Sequence, residues 1–187
     1  MIRLFPLVLT VLILVVQTVS AQDSPSESET SKLVLKYHDG KADGKKSIAG
    51  TGEMIRFSRP SDSQKLKGIR LHAARYGTFQ APKEDVEISI VSEDEKNVLH
   101  TEKVPYEKFV RGDNKWVPLV FKKPVVVEKE FWVILNFNAA QTKGVFVSYD
   151  TSTDGKYSKV GLPGQPSTAV STGGDWMVEA MLTTPEL

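Results

Sequence analysis

The chain has 187 residues, a formal net charge of +1 and no cysteine. A chain of this length can bury a core without disulfides or metal staples, and the lack of cysteine excludes thiol catalysis and thiolate metal sites. Basic and acidic side chains are nearly balanced, at 24 and 23, so the composition argues against nucleic acid and anionic lipid as partners.

The N-terminal stretch is predicted to carry targeting information rather than fold. Arg3 is followed by an apolar run and by the small residues Val19, Ser20 and Ala21, a pattern typical of a cleaved secretory signal peptide over residues 1–21. An uncleaved anchor is the alternative, but the apolar run is short for a membrane span. Residues 22–32, rich in Ser and Glu, predict a disordered spacer. We therefore expect a secreted or periplasmic domain over residues 33–184, with no membrane partner after signal cleavage.

Short strands and turns alternate in the first half of this domain. A short strand over residues 33–37 precedes the Gly-rich stretch 38–52, where two Asp-Gly pairs predict a compact loop. Alternating apolar residues predict four further strands. These strands cover residues 54–58, 68–75, 86–90 and 97–104.

The middle of the chain carries a helical turn and two peripheral strands. Residues 106–109 predict one turn of helix, and residues 125–127 a short strand. Pro118 lies inside the predicted strand 116–121. Because proline cannot donate to a ladder, this strand is expected at a sheet edge or a bulge.

Residues 131–150 contain the clearest strand pattern. Four residues of one parity, Phe131, Val133, Leu135 and Phe137, are apolar, and Val145, Val147 and Tyr149 repeat the alternation after a polar turn. Period-two alternation predicts half-buried strands. The two runs are therefore predicted to pair as an antiparallel hairpin with a longer loop, in the middle of a sheet.

The C-terminal part combines a long polar loop with a closing strand. Loops as long as residues 150–174 are usually functional or ordered by a ligand. In residues 175–182 the apolar residues from Trp176 onward alternate with Met177 and Glu179, which places Trp176 in the core. About nine strands of this kind predict an all-β fold, a two-sheet antiparallel β-sandwich of jelly-roll or immunoglobulin-like type.

Aspartates in the early loop suggest a cation site. Asp39, Asp43 and Ser47 follow one another at intervals of four in a glycine-rich turn, and such carboxylates and carbonyls are ligands that calcium prefers. The spacing is not that of an EF-hand, so Asp175 or Glu179 of the last strand would have to complete a structural calcium site. The alternative is that both Asp-Gly pairs serve only the turns.

Polar and aromatic residues of the predicted loops form a candidate ligand site. Stacking rings beside carboxylates suit sugar or peptide recognition. The set comprises Arg75, Tyr76, Tyr149, Asp150, Ser152, Asp154 and Tyr157. Trp132 joins it because its parity is opposite to that of Phe131 and Val133, which places it on the other face of its strand. A solvated loop with tyrosines packed on the sheet rim is the alternative.

No motif for catalysis is present. His38, His72 and His100 are far apart, and no nucleophile elbow, P-loop or dinucleotide fingerprint occurs. The tripeptide Arg111-Gly112-Asp113 matches the integrin-binding sequence, but a turn before the next strand is the stronger interpretation. No catalytic residue is therefore assigned.

Four stretches of the chain together resemble an uncharacterised β-sandwich module of galactose-binding-like, jelly-roll type. The stretches cover residues 37–57, 75–88, 131–153 and 173–182. Such modules occur in secreted bacterial proteins, often C-terminal to a peptidase or another hydrolase. The family's opening Tyr-Asp-Asp-Gly is changed here, because His38 replaces the first Asp. The resemblance implies architecture and location, but no reaction.

Three hypotheses follow for function. The first is a secreted, non-catalytic binding or accessory domain for an extracellular polymer such as a glycan, or for a partner protein. The second is a small carbohydrate-active or other hydrolase on a jelly-roll scaffold, which would need two carboxylates about 5–10 Å apart in a pocket. The third is an envelope component that assembles through its sheet edges.

Overall fold

The computed structural model describes residues 33–184. The predicted signal peptide and spacer lie outside this range. Within it, the chain forms two antiparallel sheets and a 3₁₀ turn over Tyr106–Lys108. The prediction of an all-β, two-sheet sandwich is confirmed, and so is the helical turn. No helix in the described range has the length and apolar character needed to span a bilayer.

Thirteen strands occur in the described residues, rather than about nine, because the predicted loops contain short strands of two or three residues. In chain order the strands are β1 (Val34–Leu35), β2 (Gly44–Lys46), β3 (Glu53–Ser58), β4 (Leu66–Gly77), β5 (Asp85–Ser92), β6 (Val98–Pro105), β7 (Lys115–Val125), β8 (Glu130–Asn136), β9 (Lys143–Asp150), β10 (Ser158–Val160), β11 (Thr168–Ala169), β12 (Asp175–Trp176) and β13 (Val178–Leu182). Strands β2, β10 and β11 lie within stretches that were predicted as loops, since turn residues set the loop boundaries but do not exclude short pairings.

The first sheet has seven strands built around β4. Strand β4 pairs with β7 on one side, and on the other side with β13 and then β9. Met177, which lies between β12 and β13, connects β4 to β9. Its amide donates to the Ser148 carbonyl at 2.8 Å, and its carbonyl accepts from the His72 amide at 2.9 Å. Among the described strands, β7, which contains Pro118, pairs with β4 alone, so its predicted edge position is confirmed.

The second sheet has six strands in the order β11-β10-β3-β8-β5-β6. Strand β8 lies between β3 and β5, whereas β9 belongs to the first sheet. The predicted hairpin of residues 131–150 is therefore wrong. The two strands are each central, but in different sheets, and residues 137–142 cross between them. Their apolar faces meet across the core because alternation specifies which face is buried and not which strand is the neighbour.

The core lies between the inner faces of the two sheets. Phe131, Val133, Leu135 and Phe137 are each at most 2% exposed, and Trp176 is 1% exposed. The parities predicted for these strands are thus correct. Each such side chain contributes roughly 1.5–3 kcal/mol on burial. This rigid core fixes the strand ends and loops from which the candidate sites are built.

Candidate functional site

The aspartates predicted as metal ligands connect the early loop to the late loop. Asp43 accepts hydrogen bonds from the amide and hydroxyl of Thr151, at 2.8 and 2.6 Å. Asp150 accepts from the amides of Asp39 and Ser152, at 2.7 and 2.6 Å. These bonds are the side-chain-to-backbone bonds expected of turn aspartates. The hydrogen bonds from Thr151 lower the pKa of Asp43.

Asp175 also accepts hydrogen bonds from the late loop. Its carboxylate accepts from the Thr153 hydroxyl at 2.6 Å and from the Tyr157 amide at 3.0 Å. Among residues 33–184, no three acidic or histidine side chains converge as a metal site requires. Hydrogen bonds already use Oδ2 of Asp43 and both carboxylate oxygens of Asp175. A structural calcium ion held by Asp39, Asp43 and Asp175 stays a prediction.

The tyrosines of the predicted ligand site pack against the sandwich. Tyr157 stacks on Tyr37 with ring centroids 3.6 Å apart, and both rings contact the main core. Tyr149 covers Gly44, where an added Cβ would lie 2.3 Å from the tyrosine hydroxyl oxygen. Asp154 is exposed in the same loop. Tyr149 and Asp150 lie in β9 rather than in a loop.

Trp132 covers the outer face of the second sheet. It is 4% exposed and forms a small apolar cluster with Met54, Val91 and Ile134. Its indole N–H donates to the Glu93 carbonyl at 3.1 Å. The cations of Arg56 and Lys159 lie 5.9 and 4.9 Å from its ring. The ring is thus enclosed and is not an open platform for a ligand.

Arg75 and Tyr76 lie near the end of β4. Arg75 falls within the strand predicted for residues 68–75, whereas Tyr76 continues that strand instead of beginning the following loop. They line an open groove of about 590 Å³, which we call the aromatic groove. Its lining comprises Lys45, Arg75, Tyr76, Gly77, Phe79, Val110, Arg111, Gly112 and Phe146. The volume falls within the range typical of small-ligand sites.

Two aromatic rings form the floor of the aromatic groove. The centroids of Tyr76 and Phe146 are 4.6 Å apart, and the Tyr76 hydroxyl donates to the Ala140 carbonyl at 2.9 Å. Gly144 leaves room for the tyrosine, because an added Cβ there would lie 2.3 Å from the Tyr76 hydroxyl oxygen. The Nζ atom of Lys45 is 5.4 Å from the Phe146 centroid.

The guanidinium of Arg75 shapes the rim of the aromatic groove. It donates to the carbonyl oxygens of Thr78 and Phe79, at 2.7 and 2.5 Å. These bonds hold the loop that presents Phe79, whose side chain is 86% exposed. Sequence reasoning missed Phe79, Phe146 and Lys45. An apolar residue in the polar loop after Tyr76 was the available signal for Phe79.

A second, narrower cleft of about 370 Å³ lies beneath the long late loop. Hydroxyl-bearing residues of β11 and the following turn line it, together with the buried Trp176. Lys46 donates to the Ser171 hydroxyl across this cleft at 2.8 Å. The late loop is thus ordered by contacts within the chain.

A serine–histidine pair lies on the outer face of the first sheet. The Ser148 hydroxyl is 2.9 Å from Nδ1 of His72, and the Asn114 amide also donates to this hydroxyl at 2.9 Å. Ser148 is only 2% exposed. Because Asn114 and the sheet enclose the hydroxyl, a substrate cannot reach it, and the pair serves to fix β4, β9 and the turn before β7.

Two structures of Cwp84 are among the solved structures that are similar to this chain. One is the cysteine protease and lectin-like domains of Cwp84, a surface layer associated protein of Clostridium difficile, at 13% identity over 74% of this chain and 33% of that chain, with a TM-score of 0.49. The other is the clostridial cysteine protease Cwp84 after propeptide cleavage, at 14% identity over 81% of this chain and 40% of that chain, with a TM-score of 0.47.

The matched region is therefore less than half the length of those structures. No protein-family model matches the chain. No curated protein matches it either.

Proposed function

We propose that the chain is a non-catalytic, extracellular binding module and that the aromatic groove is its ligand site. The observation that carries this proposal is the exposure of Phe79, at 86%, beside the paired rings of Tyr76 and Phe146. Large exposed aromatic residues next to preformed rings mark recognition sites, because they offer apolar area with little loss of side-chain entropy on binding. The ligand is an extracellular glycan or a partner protein.

The shape of the groove supports binding rather than chemistry. Its titratable residues are Lys45, Arg75, Tyr76 and Arg111, and no carboxylate or histidine lines it to act as a general base near neutral pH. Rigid strands position both floor rings. The site can therefore hold a ligand in a fixed orientation.

Binding can be tested with a matched pair of variants. The purified domain is applied to a glycan array and used to capture proteins from cell-envelope extracts. Phe79→Ala should weaken the interaction by about tenfold or more, as expected for an aromatic anchor. Val126→Ala, which removes a side chain 72% exposed outside the groove, should leave it unchanged. The proposal would be rejected if the domain retained no glycan and no protein. It would also be rejected if Phe79→Ala bound as tightly as the native domain.

A hydrolase is the second candidate, and one surface depression favours it. Glu84, Asp85 and Glu107 line an open site of about 610 Å³ beside the 3₁₀ turn. Glu84 is paired with Lys143 at 2.5 Å, and the other two carboxylates are exposed. This site lacks the dry surroundings that a general acid requires. Release of reducing sugar that is lost in Glu84→Gln and Glu107→Gln would support the hydrolase instead.

A further inference from the structure

The charged residues of the aromatic groove are all cationic. Three of its nine lining residues are Lys45, Arg75 and Arg111, and none is Asp or Glu. The chain as a whole carries a formal net charge of only +1, so this local excess is not a consequence of composition. A surface of one sign attracts ligands of the opposite sign.

Two of these cations are available to a ligand. Arg75 is 8% exposed, and its guanidinium already donates to the Thr78 and Phe79 carbonyl oxygens. Lys45 and Arg111 are exposed. Within residues 33–184 the ion pairs involve other cations, so neither of the two has a carboxylate partner there. An anionic ligand could pair with both without breaking an ion pair recorded within residues 33–184.

At Arg75 the backbone of the groove offers no edge to an extended peptide. The Arg75 amide already donates to the Val110 carbonyl at 3.1 Å, and Arg75 bridges Arg111 in parallel register. Strand addition requires unpaired amides and carbonyls at such an edge. The recognition groups left here are side chains, namely rings and cations.

Rings and cations together suit an acidic sugar. The apolar face of a sugar ring can pack on the aromatic side chains, while its carboxylate forms charge-assisted hydrogen bonds with a guanidinium. Gly112 adds open space at the rim, because nothing lies within 4 Å of a Cβ built there.

We infer that the aromatic groove binds a carboxylate-bearing polysaccharide, with Lys45 and Arg111 pairing with its carboxylates and Phe79 packing on its sugar rings. This inference rests on the proposed function and specifies the ligand class of the same site. The polymer backbone supplies the apolar contact, and the carboxylates supply the selectivity.

The test uses polymers that differ only in charge. Binding of the domain to polygalacturonate is compared with binding to its methyl-esterified form, and poly-glutamate serves as an acidic peptide. We expect polygalacturonate to bind at least about tenfold more tightly than the ester, with an affinity that falls as salt is raised. The double variant Lys45→Gln/Arg111→Gln should lose this preference. The matched double variant Lys122→Gln/Lys123→Gln, at exposed positions of β7, should keep it.

Each contrary result has a distinct meaning. Equal or better binding of the esterified polymer would overturn the acidic ligand class and leave the binding function standing. Equal binding of poly-glutamate would overturn the assignment to a polysaccharide. Loss of the preference in both double variants would overturn the assignment to the groove. Absence of binding to all three polymers, to glycan arrays and to envelope proteins would reject the proposed function together with the inference.

Discussion

The Nε2 atom of His38 lies 3.2 Å from Oε1 of Glu179, and both side chains are buried on the outer face of the first sheet. Within residues 33–184, neither ring nitrogen of His38 makes a hydrogen bond of normal geometry. Glu179 is held from the other side by Arg70, and the rings of His38 and Trp116 lie 5.2 Å apart. The early loop thus contacts the last strand through His38 and Glu179.

This arrangement predicts acid sensitivity. Burial lowers the pKa of His38, and Lys36 and Arg70 act in the same direction, although Glu179 and Asp150 oppose them. A lowered pKa means that the unfolded chain binds the proton more readily. The contribution of neutral His38 to folding stability is therefore complete above the ordinary histidine pKa of about 6.5. It is lost as pH falls from there through the lower pKa of the folded state. We expect the decrease in Tm between pH 7.5 and pH 5 to be smaller in His38→Asn.

The control for this effect is another histidine. His100→Asn, on the edge strand β6, should keep the pH dependence of the native domain. Burial also lowers the pKa of His72, so adding His72→Asn to His38→Asn should flatten the profile further. An unchanged acid dependence in the double variant would contradict this account.

For Glu53 we expect stability to change with pH in the opposite direction. Its carboxyl is 1% exposed, one oxygen accepts the Ile48 amide at 3.1 Å, and the other has no hydrogen-bond partner in the described part of the chain. Burial raises the pKa of Glu53 to about 8, so its contribution to stability is complete below the ordinary value of 4.5 and is lost as pH rises through about 8.

Glu53→Gln should therefore stabilise the domain at alkaline pH. The amide keeps the acceptor and cannot ionise, so we expect a gain on the order of 2–4 kcal/mol in unfolding free energy at pH 9, with little change at pH 5. Denaturant unfolding at the two pH values measures it. Glu87→Gln, at an exposed position of β5, provides the control and should show no such divergence. A variant that is less stable than the native domain at pH 9 would refute this prediction.

Substitutions at two phenylalanines should distinguish an effect on ligand binding from an effect on folding stability. Phe79 is 86% exposed, whereas Phe57 is fully buried in the core between Tyr37 and Phe131. Phe79→Ala should change the unfolding free energy by less than about 0.5 kcal/mol while weakening ligand binding. Phe57→Ala should cost about 3–5 kcal/mol. A large loss of stability in the Phe79 variant would show that the loop packs more closely than its exposure indicates.

Side-chain parity in this fold can be predicted from the sequence, but strand partners cannot. Alternation at Phe131, Val133 and Leu135 depends only on local backbone geometry, and these residues are buried as expected. Strand β8 and strand β9 show the same alternation whether they are neighbours in one sheet or face each other across the core. Only the tertiary arrangement, in which β3 and β5 flank β8, decides between the two.

In the candidate site, too, the sequence predicts individual residues but not the neighbours that the fold gives them. Arg75 and Tyr76 were predicted as ligand residues from their types, and they line the aromatic groove. Their partner Phe146 is 70 residues further along the chain, and the pairing of β4 with β9 brings the two rings together. For Trp132 the sequence predicts the correct face of the strand. It does not predict that Arg56 and Lys159 lie over the ring, because those residues belong to neighbouring strands.

The aspartates allow two interpretations that melting experiments separate. If Asp150 acts as an acceptor for the Asp39 and Ser152 amides, Asp150→Asn should lower the unfolding free energy by about 1–3 kcal/mol, because one of two buried acceptors becomes a donor. Asp154→Asn, at an exposed position of the same loop, should have no effect. On this interpretation a chelator and added calcium both leave Tm unchanged. A structural calcium ion would instead stabilise the folded state by mass action, so a Tm that falls with chelator and recovers with calcium would favour the metal site.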